Sequence, residues 1–162
     1  MADETPTATL GSSHTEMTEP LMPGDTNTLG RALGGAVLHW MDVCGGIAAM
    51  RFSGEQCVTA SMDHVDFISS IELGEIAVLQ GYVFNTGRTS IDVKVDVQAE
   101  NPQTGETRDT TASFLTFVAI DEGGRPIEVP DLVCEDEAEA DLRDIAIAER
   151  REKLDELVER FE

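Results

Sequence analysis

Asp42 is the residue best suited to chemistry. It lies in HWMDVCGG, within the run ALGGAVLHWMDVCGGIAAMRF (32–52), which is largely Ala, Val, Leu, Met and Gly. An ionised carboxylate in such a setting loses hydration and gains little unless it is hydrogen-bonded. A residue that costly is a candidate base or nucleophile. An Asp that bonds a backbone group or an interface partner would account for it equally well. Gly34 and Gly35 open the same run. Backbone N–H groups at a helix start hold developing negative charge, and glycine lets a carbonyl approach closely. A Gly pair also lets a turn enter a tightly packed helix. Asn27, in GDTNTLG just upstream, could orient water or hold a carbonyl, or could simply make a turn.

The elements that must position these residues follow from periodicity. Residues 32–52 read as one helix, apolar on every side, which belongs in a core. Gly45 and Gly46 weaken it by roughly 1 kcal/mol each relative to Ala, which makes sense where something packs very closely. TEMTEPLMP (15–23) is a short first strand weakened by Pro20, and 57–67, 75–85, 90–100 and 110–121 read as strands. In SIDVKVDVQAE, Ile91, Val93, Val95, Val97 and Ala99 point one way, and Asp92, Lys94, Asp96, Gln98 and Glu100 the other. Period two implies a half-buried antiparallel strand. A curved antiparallel sheet around a long helix satisfies this order. One such layer leaves strand edges and sheet surface uncovered, so a dimer at minimum is expected. Residues 135–162 read as a separate amphipathic helix, with Leu142, Ile145, Leu154, Leu157, Val158 and Phe161 as the stripe that packs on the core or on another subunit. Residues 1–14 read as a disordered acidic tail, leaving 15–134 as the main domain.

Composition excludes several classes. The 162 residues carry 32 acids against 11 Lys and Arg, for a net charge of −21. Nucleic acid and anionic membranes should be repelled. The spread of the acids and the presence of only two lysines, Lys94 and Lys153, favour a solvated acidic surface adapted to a salt-rich cytoplasm over a docking face for a basic partner. No run of about eighteen apolar residues suggests a membrane span, and the polar, acidic start does not fit a secretory signal. A cytoplasmic location is expected. Cys44, Cys57 and Cys134 are odd in number and widely spaced, so they read as free buried thiols rather than as a disulfide framework or zinc site.

The run DTNTLGRALGGAVLHWMD resembles the helix-start motif of hotdog-fold acyl-CoA thioesterases (the cytosolic acyl-CoA hydrolase family). The matching positions are Asn27, Gly30, Gly34, Gly35, Trp40, Met41 and Asp42. CVTASMDHVDF resembles the family's second strand, GRTSIDVKVDVQAEN its Gly-Arg-Thr-Ser strand, and FLTFVAIDEGGRPIEVPDL its last strand and the segment beyond. The resemblance runs from about Pro23 to Leu132. It implies an α+β hotdog fold, hydrolysis of acyl-CoA to a free acid and CoA, a place in fatty acid metabolism, and a homo-oligomer that is a dimer at minimum and a hexamer (trimer of dimers) by family habit. It further implies a shared site, with Asp42 of one subunit as base or nucleophile, Asn27 of its neighbour positioning water or substrate, and Gly35 offering its N–H. No cofactor or metal is implied, since CoA is part of the substrate. Leu33 stands where the family usually has an aromatic lining the acyl approach, which leaves chain-length preference open. Arg88, Thr89 and Ser90 would contact the phosphates or pantetheine of CoA, although Arg88 also reads as a surface ion pair. Arg51 reads as an ion pair.

Two rival functions stand beside this one. A hotdog dehydratase or hydratase would use a His/Asp pair, and His64 close to Asp66 at a pocket would favour it; DHVDF is too small a fragment to carry that reading, so His64 reads as structural. A non-catalytic acyl-CoA binding protein would not need the Asn27/Asp42 pair.

Overall fold

The computed structural model describes residues 4–161. Five strands form one antiparallel sheet, in the order β2 (Thr15–Pro20), β4 (Ile76–Thr86), β5 (Ser90–Glu100), β6 (Thr107–Ile120) and β3 (Gln56–Met62). Helix α2 (Gly34–Ser53) lies on its inner face, and α3 (Glu137–Phe161) crosses the outer face. The expected hotdog arrangement of a sheet curled about a long helix is present. β3 forms one edge of the sheet.

The inner core follows the period-two pattern. Ile91, Val93, Val95, Val97 and Ala99 are all buried and join Met41, Cys44, Ala48 and Phe52 of α2. Close approach is where glycine is required: a Cβ on Gly45 would lie 3.0 Å from the Phe117 ring. Gly46 has ordinary room, with the same ring at 3.6 Å. The helix ends at Gly54, whose φ of 71° is left-handed and whose N–H returns to the Met50 carbonyl. The sheet covers only one side of α2, so Val43 and Met50 are exposed, each 38 % accessible. Burial on every side is therefore not achieved by one chain.

Two sequence expectations are corrected, and a third is narrowed. The start of the chain is ordered well before residue 15. β1 (Thr7–Thr9) pairs in parallel with β7 (Asp131–Val133), and α1 (Leu10–Ser13) buries Leu10 and Ser13. The Ser13 hydroxyl accepts the Val83 N–H at 2.9 Å, where β4 carries a bulge. Residues 1–3 and 162 lie outside the described residues. The strand expected over 57–67 stops at Met62; Asp63 still donates its N–H to the Phe114 carbonyl at 2.9 Å, and its carboxylate is taken by Arg150 of α3.

For α3 the packing of its apolar stripe on the core is not what is found: Leu142, Ile145, Leu154, Val158 and Phe161 are exposed, and only Leu157 of the expected set is half-buried, which leaves the stripe open to another subunit. The reason lies in the outer face of β5, which presents Asp92 and Lys94. Charged groups on α3 answer them. Glu149 meets Lys94 at 2.7 Å, and Arg150 bridges Asp63 and Asp92 at 3.0 and 3.2 Å. Small Ala146 lets the helix settle over Tyr82, Phe84 and Phe114. The outer side of β5 is thus covered at Asp92 and Lys94, while Asp96, Gln98 and Glu100 remain partly exposed.

Candidate active site

Gly45 seats α2 on Phe117, and one helical turn earlier Asp42 leans towards β3. Its Oδ1 accepts the Thr59 hydroxyl at 2.5 Å. Thr59 pairs with Phe117 across the β3–β6 ladder, so one packing contact sets both the helix position and this hydrogen bond. Asp42 is half-buried rather than enclosed, since the β3 side of the helix is open. The neighbouring Cys44 is no rival nucleophile: burial pushes its thiol up to about 11, and it stays protonated near neutral pH.

The helix start is built for donation. Its N-cap is Leu33, which has no side chain to cap the first turn. The Ala36 and Val37 N–H groups return to the Leu33 carbonyl, so the Gly34 and Gly35 N–H groups are left without helical acceptors. A Cβ at Gly35 would meet nothing within 4 Å, while Gly34 lies under the Phe67 ring. Asn27 makes the turn that its residue type suggested. Its Oδ1 accepts from Leu29 and Arg31 at 2.9 and 3.2 Å, and Gly30 completes the turn at φ 73°. Because those two N–H groups occupy the oxygen, the amide NH2 is oriented outwards at an exposed position. A cavity of about 330 Å3 opens beside Asn27 and Gly34.

Asn27, Leu33, Gly34 and Gly35 thus cluster at the helix start. Asp42 stands two turns further on, about 12 Å from Gly34 along the axis. Arg88, Thr89 and Ser90 form the turn between β4 and β5. Ser90 pairs with Val118 and Val118 with Val58, which places Ser90 level with the residue before Thr59, two strands away. Arg88 is 77 % exposed, with Glu128 at 3.8 Å, a long surface contact that leaves the guanidinium available. Arg51 instead donates to the His14 carbonyl at 2.9 Å and pins the N-terminal segment, rather than pairing with an acid.

His64 and Asp66 do meet, at 2.9 Å, and both line a cavity of about 280 Å3. The His64 hydrogen bond holds the Asp66 carboxyl below the usual carboxylate range. That cavity lies under α3, with Lys153, Leu154 and Arg160, and no residue of α2 borders it. Among the described residues, no group of three or more His, Cys, Asp or Glu side chains is arranged to hold a metal ion. Among those residues, no helix is long and apolar enough to cross a membrane.

The sequence reading missed Thr59. Its signal was there: it stands in a strand whose alternate residues face the helix that carries Asp42.

Known proteins carry the same fold. Residues 29–106 match the family model of the thioesterase superfamily. An acyl-CoA thioester hydrolase of Bacillus subtilis is 38 % identical over 136 residues, covering 84 % of this chain and 79 % of that protein. A hexameric acyl-CoA thioesterase structure, 40 % identical, superposes with a TM-score of 0.83 over 94 % of this chain and 97 % of its own. The Staphylococcus aureus acyl-CoA hydrolase, solved with butyryl coenzyme A and coenzyme A, is 30 % identical with a TM-score of 0.82, covering 95 % and 94 % of the two chains. That enzyme has also been solved with single Asn, Asp and Thr replacements by Ala, and the three replaced residues are spaced as Asn27, Asp42 and Thr59 are here. The chain belongs to the acyl-CoA thioester hydrolases of the thioesterase superfamily.

Proposed function

We propose that this hydrolase cleaves acyl-CoA in a site shared between two copies of the chain, with Asp42 and Thr59 from one and Asn27 and Gly35 from the other. The observation that carries this reading is the separation of the parts. A thioester carbonyl held at the Gly35 N–H lies about 10 Å along the helix from Asp42 of the same chain, too far for one reaction centre. The exposed edge of β3 and the exposed face of α2, with Val43 and Met50, are where a second copy would bring its own Asp42 close.

In that site the Gly35 N–H and the free amide of Asn27 polarise the carbonyl. Asp42, oriented by Thr59, either takes a proton from the attacking water or attacks the carbonyl itself. In the first case hydroxide adds to the carbonyl carbon and the C–S bond breaks, giving the acid and the CoA thiolate. In the second, an acyl-carboxylate anhydride forms as the thiolate leaves, and water then cleaves it. Thiolate is a good leaving group, so few protein groups suffice. Arg88, Thr89 and Ser90 contact the phosphate or pantetheine part of CoA. The reading requires no cofactor or metal, and CoA enters as substrate.

The assembly proposed is a homo-oligomer of dimers, and the hexameric relative supports a trimer of them. A salt-rich cytoplasm and a role in fatty acid metabolism suit the charge of −21 and the substrate. The test is a thiol-release assay over a series of acyl chain lengths. Turnover of at least one acyl-CoA by the wild-type protein, lost in Asp42→Asn, is expected; turnover unchanged in that variant would overturn the assignment. The His64–Asp66 contact supports a second reading, hydration of an enoyl thioester, and a fall in enoyl-CoA absorbance on adding the protein would favour it.

A further inference from the structure

We propose that the cavity beside Asn27 and Gly34 takes the acyl end of the substrate, and that Thr110 selects short acyl groups bearing a hydroxyl or keto oxygen beyond the thioester carbonyl. The inference rests on the hydrolase reading of the helix start.

The cavity, about 330 Å3, is near the lower end of the usual range for ligand pockets, which suits a short chain. Val37, Phe67, Ile71 and Thr110 form its walls, with Asn27 and Arg31 also lining it. Ser69 and Ser70 line it as well, so the lining is mixed, and Val37, Ile71 and Thr110 make its buried part, which suits a short acyl group better than a charged nucleotide. Thr110 is the polar member of that buried part. It is 1 % exposed, and its Oγ1 is the one buried side-chain polar atom without a hydrogen-bond partner among the described residues. Buried hydroxyls are nearly always paired, and a valine of the same shape would avoid the penalty.

The backbone explains how the hydroxyl comes to be there. Val97 pairs with Thr111 and Gln98 with Asp109, so Thr110 is the extra residue of a bulge in β6. A bulge re-aims a side chain, commonly beside an active site. The surrounding chain is held in place: Thr111 Oγ1 donates to the Asp66 carbonyl at 2.6 Å, Ser69 Oγ to the Asp109 carbonyl at 2.7 Å, and the Ala32 N–H to the Ile71 carbonyl at 2.8 Å. The Thr110 hydroxyl, on a residue that lines the cavity, has no such partner. Phe67, 46 % exposed, forms the outer part of the wall over Gly34. A hydroxyl or keto oxygen on the acyl group supplies the missing partner, since a threonine hydroxyl both donates and accepts.

The test compares kcat/KM for 3-hydroxybutyryl-CoA and butyryl-CoA in the wild type, Thr110→Val and Thr110→Ser. The wild type should favour the hydroxy ester roughly tenfold, the worth of one neutral hydrogen bond. Thr110→Ser should keep that preference. Thr110→Val should bring the ratio to about one while butyryl-CoA turnover persists, as expected when only a substrate hydrogen bond is lost. Without ligand, Thr110→Val should melt no lower than the wild type, because it removes an unpaired buried group. A wild-type ratio of one overturns the inference while leaving the hydrolase reading intact. A lower melting temperature in Thr110→Val also overturns it, because the hydroxyl would then have a partner within the assembly. No thiol release from any ester by the wild type would sink the hydrolase reading, and this inference with it.

Discussion

Mixing two inactive variants gives the sharpest test of the shared site. Asp42→Asn keeps the size of the side chain and an oxygen that can accept the Thr59 hydroxyl now bonded at 2.5 Å, so folding and assembly should survive. Loss of the base or nucleophile should cost ~100-fold or more in rate. Asn27→Ala removes the amide at the helix start and should also leave little activity. The two chains are then unfolded, mixed in equal amounts and refolded. Random pairing makes about half of the dimers mixed, and a two-fold axis gives each mixed dimer one intact site and one doubly defective site. About one quarter of wild-type thiol release should therefore return, on the same symmetry. If Asn27 and Asp42 served the same chain's site, every site would keep one lesion and nothing would return. Absence of recovery, with mixed dimers demonstrated by mass spectrometry of differently tagged chains, refutes the cross-subunit assignment.

Thr59→Val should lower kcat by about tenfold or more while leaving the melting temperature close to wild type, because it frees a half-buried carboxylate from its orienting hydroxyl; stopped-flow thiol release checks it. Gly45→Ala should destabilise by about 1–3 kcal/mol, since the added methyl would sit 3.0 Å from Phe117, and the loss is read from urea midpoints. Arg150→Met should cost about 2 kcal/mol or more, because it strands Asp63 and Asp92, each now paired to the guanidinium; limited proteolysis should then release α3 first. The melting temperature should rise from dilute buffer to molar KCl, as screening relieves repulsion within a chain of charge −21, and a flat or falling curve would contradict the proposed salt-rich setting.

The pattern of residues 90–100 was enough to place Ile91 to Ala99 on the core side, because strand alternation is a local property of the chain. Of the two α2 glycines expected to mark a close approach, Gly45 does so and Gly46 does not; Asn27, Gly34 and Gly35 were legible as a turn and a helix start, because turn and cap chemistry is written in neighbouring residues. What lay beyond local periodicity needed the fold. Lys94 and Asp92 read as solvated until α3, more than fifty residues later, brought Glu149 and Arg150 onto them. The apolar residues of α3 suggested a stripe for the core or for another subunit, and electrostatic fit to the outer sheet turned a different face inward, leaving the stripe exposed. Strand alternation could narrow the choice to Thr59 and its neighbours, but register assigned the partners: Thr59 meets Asp42 because β3 pairs with β6 as it does, and Thr110 lines the cavity at the point where β6 carries one extra residue. A side chain's partner on another element depends on strand pairing, bulges and helix placement at once, and the spacing of residues along the chain does not encode that distance.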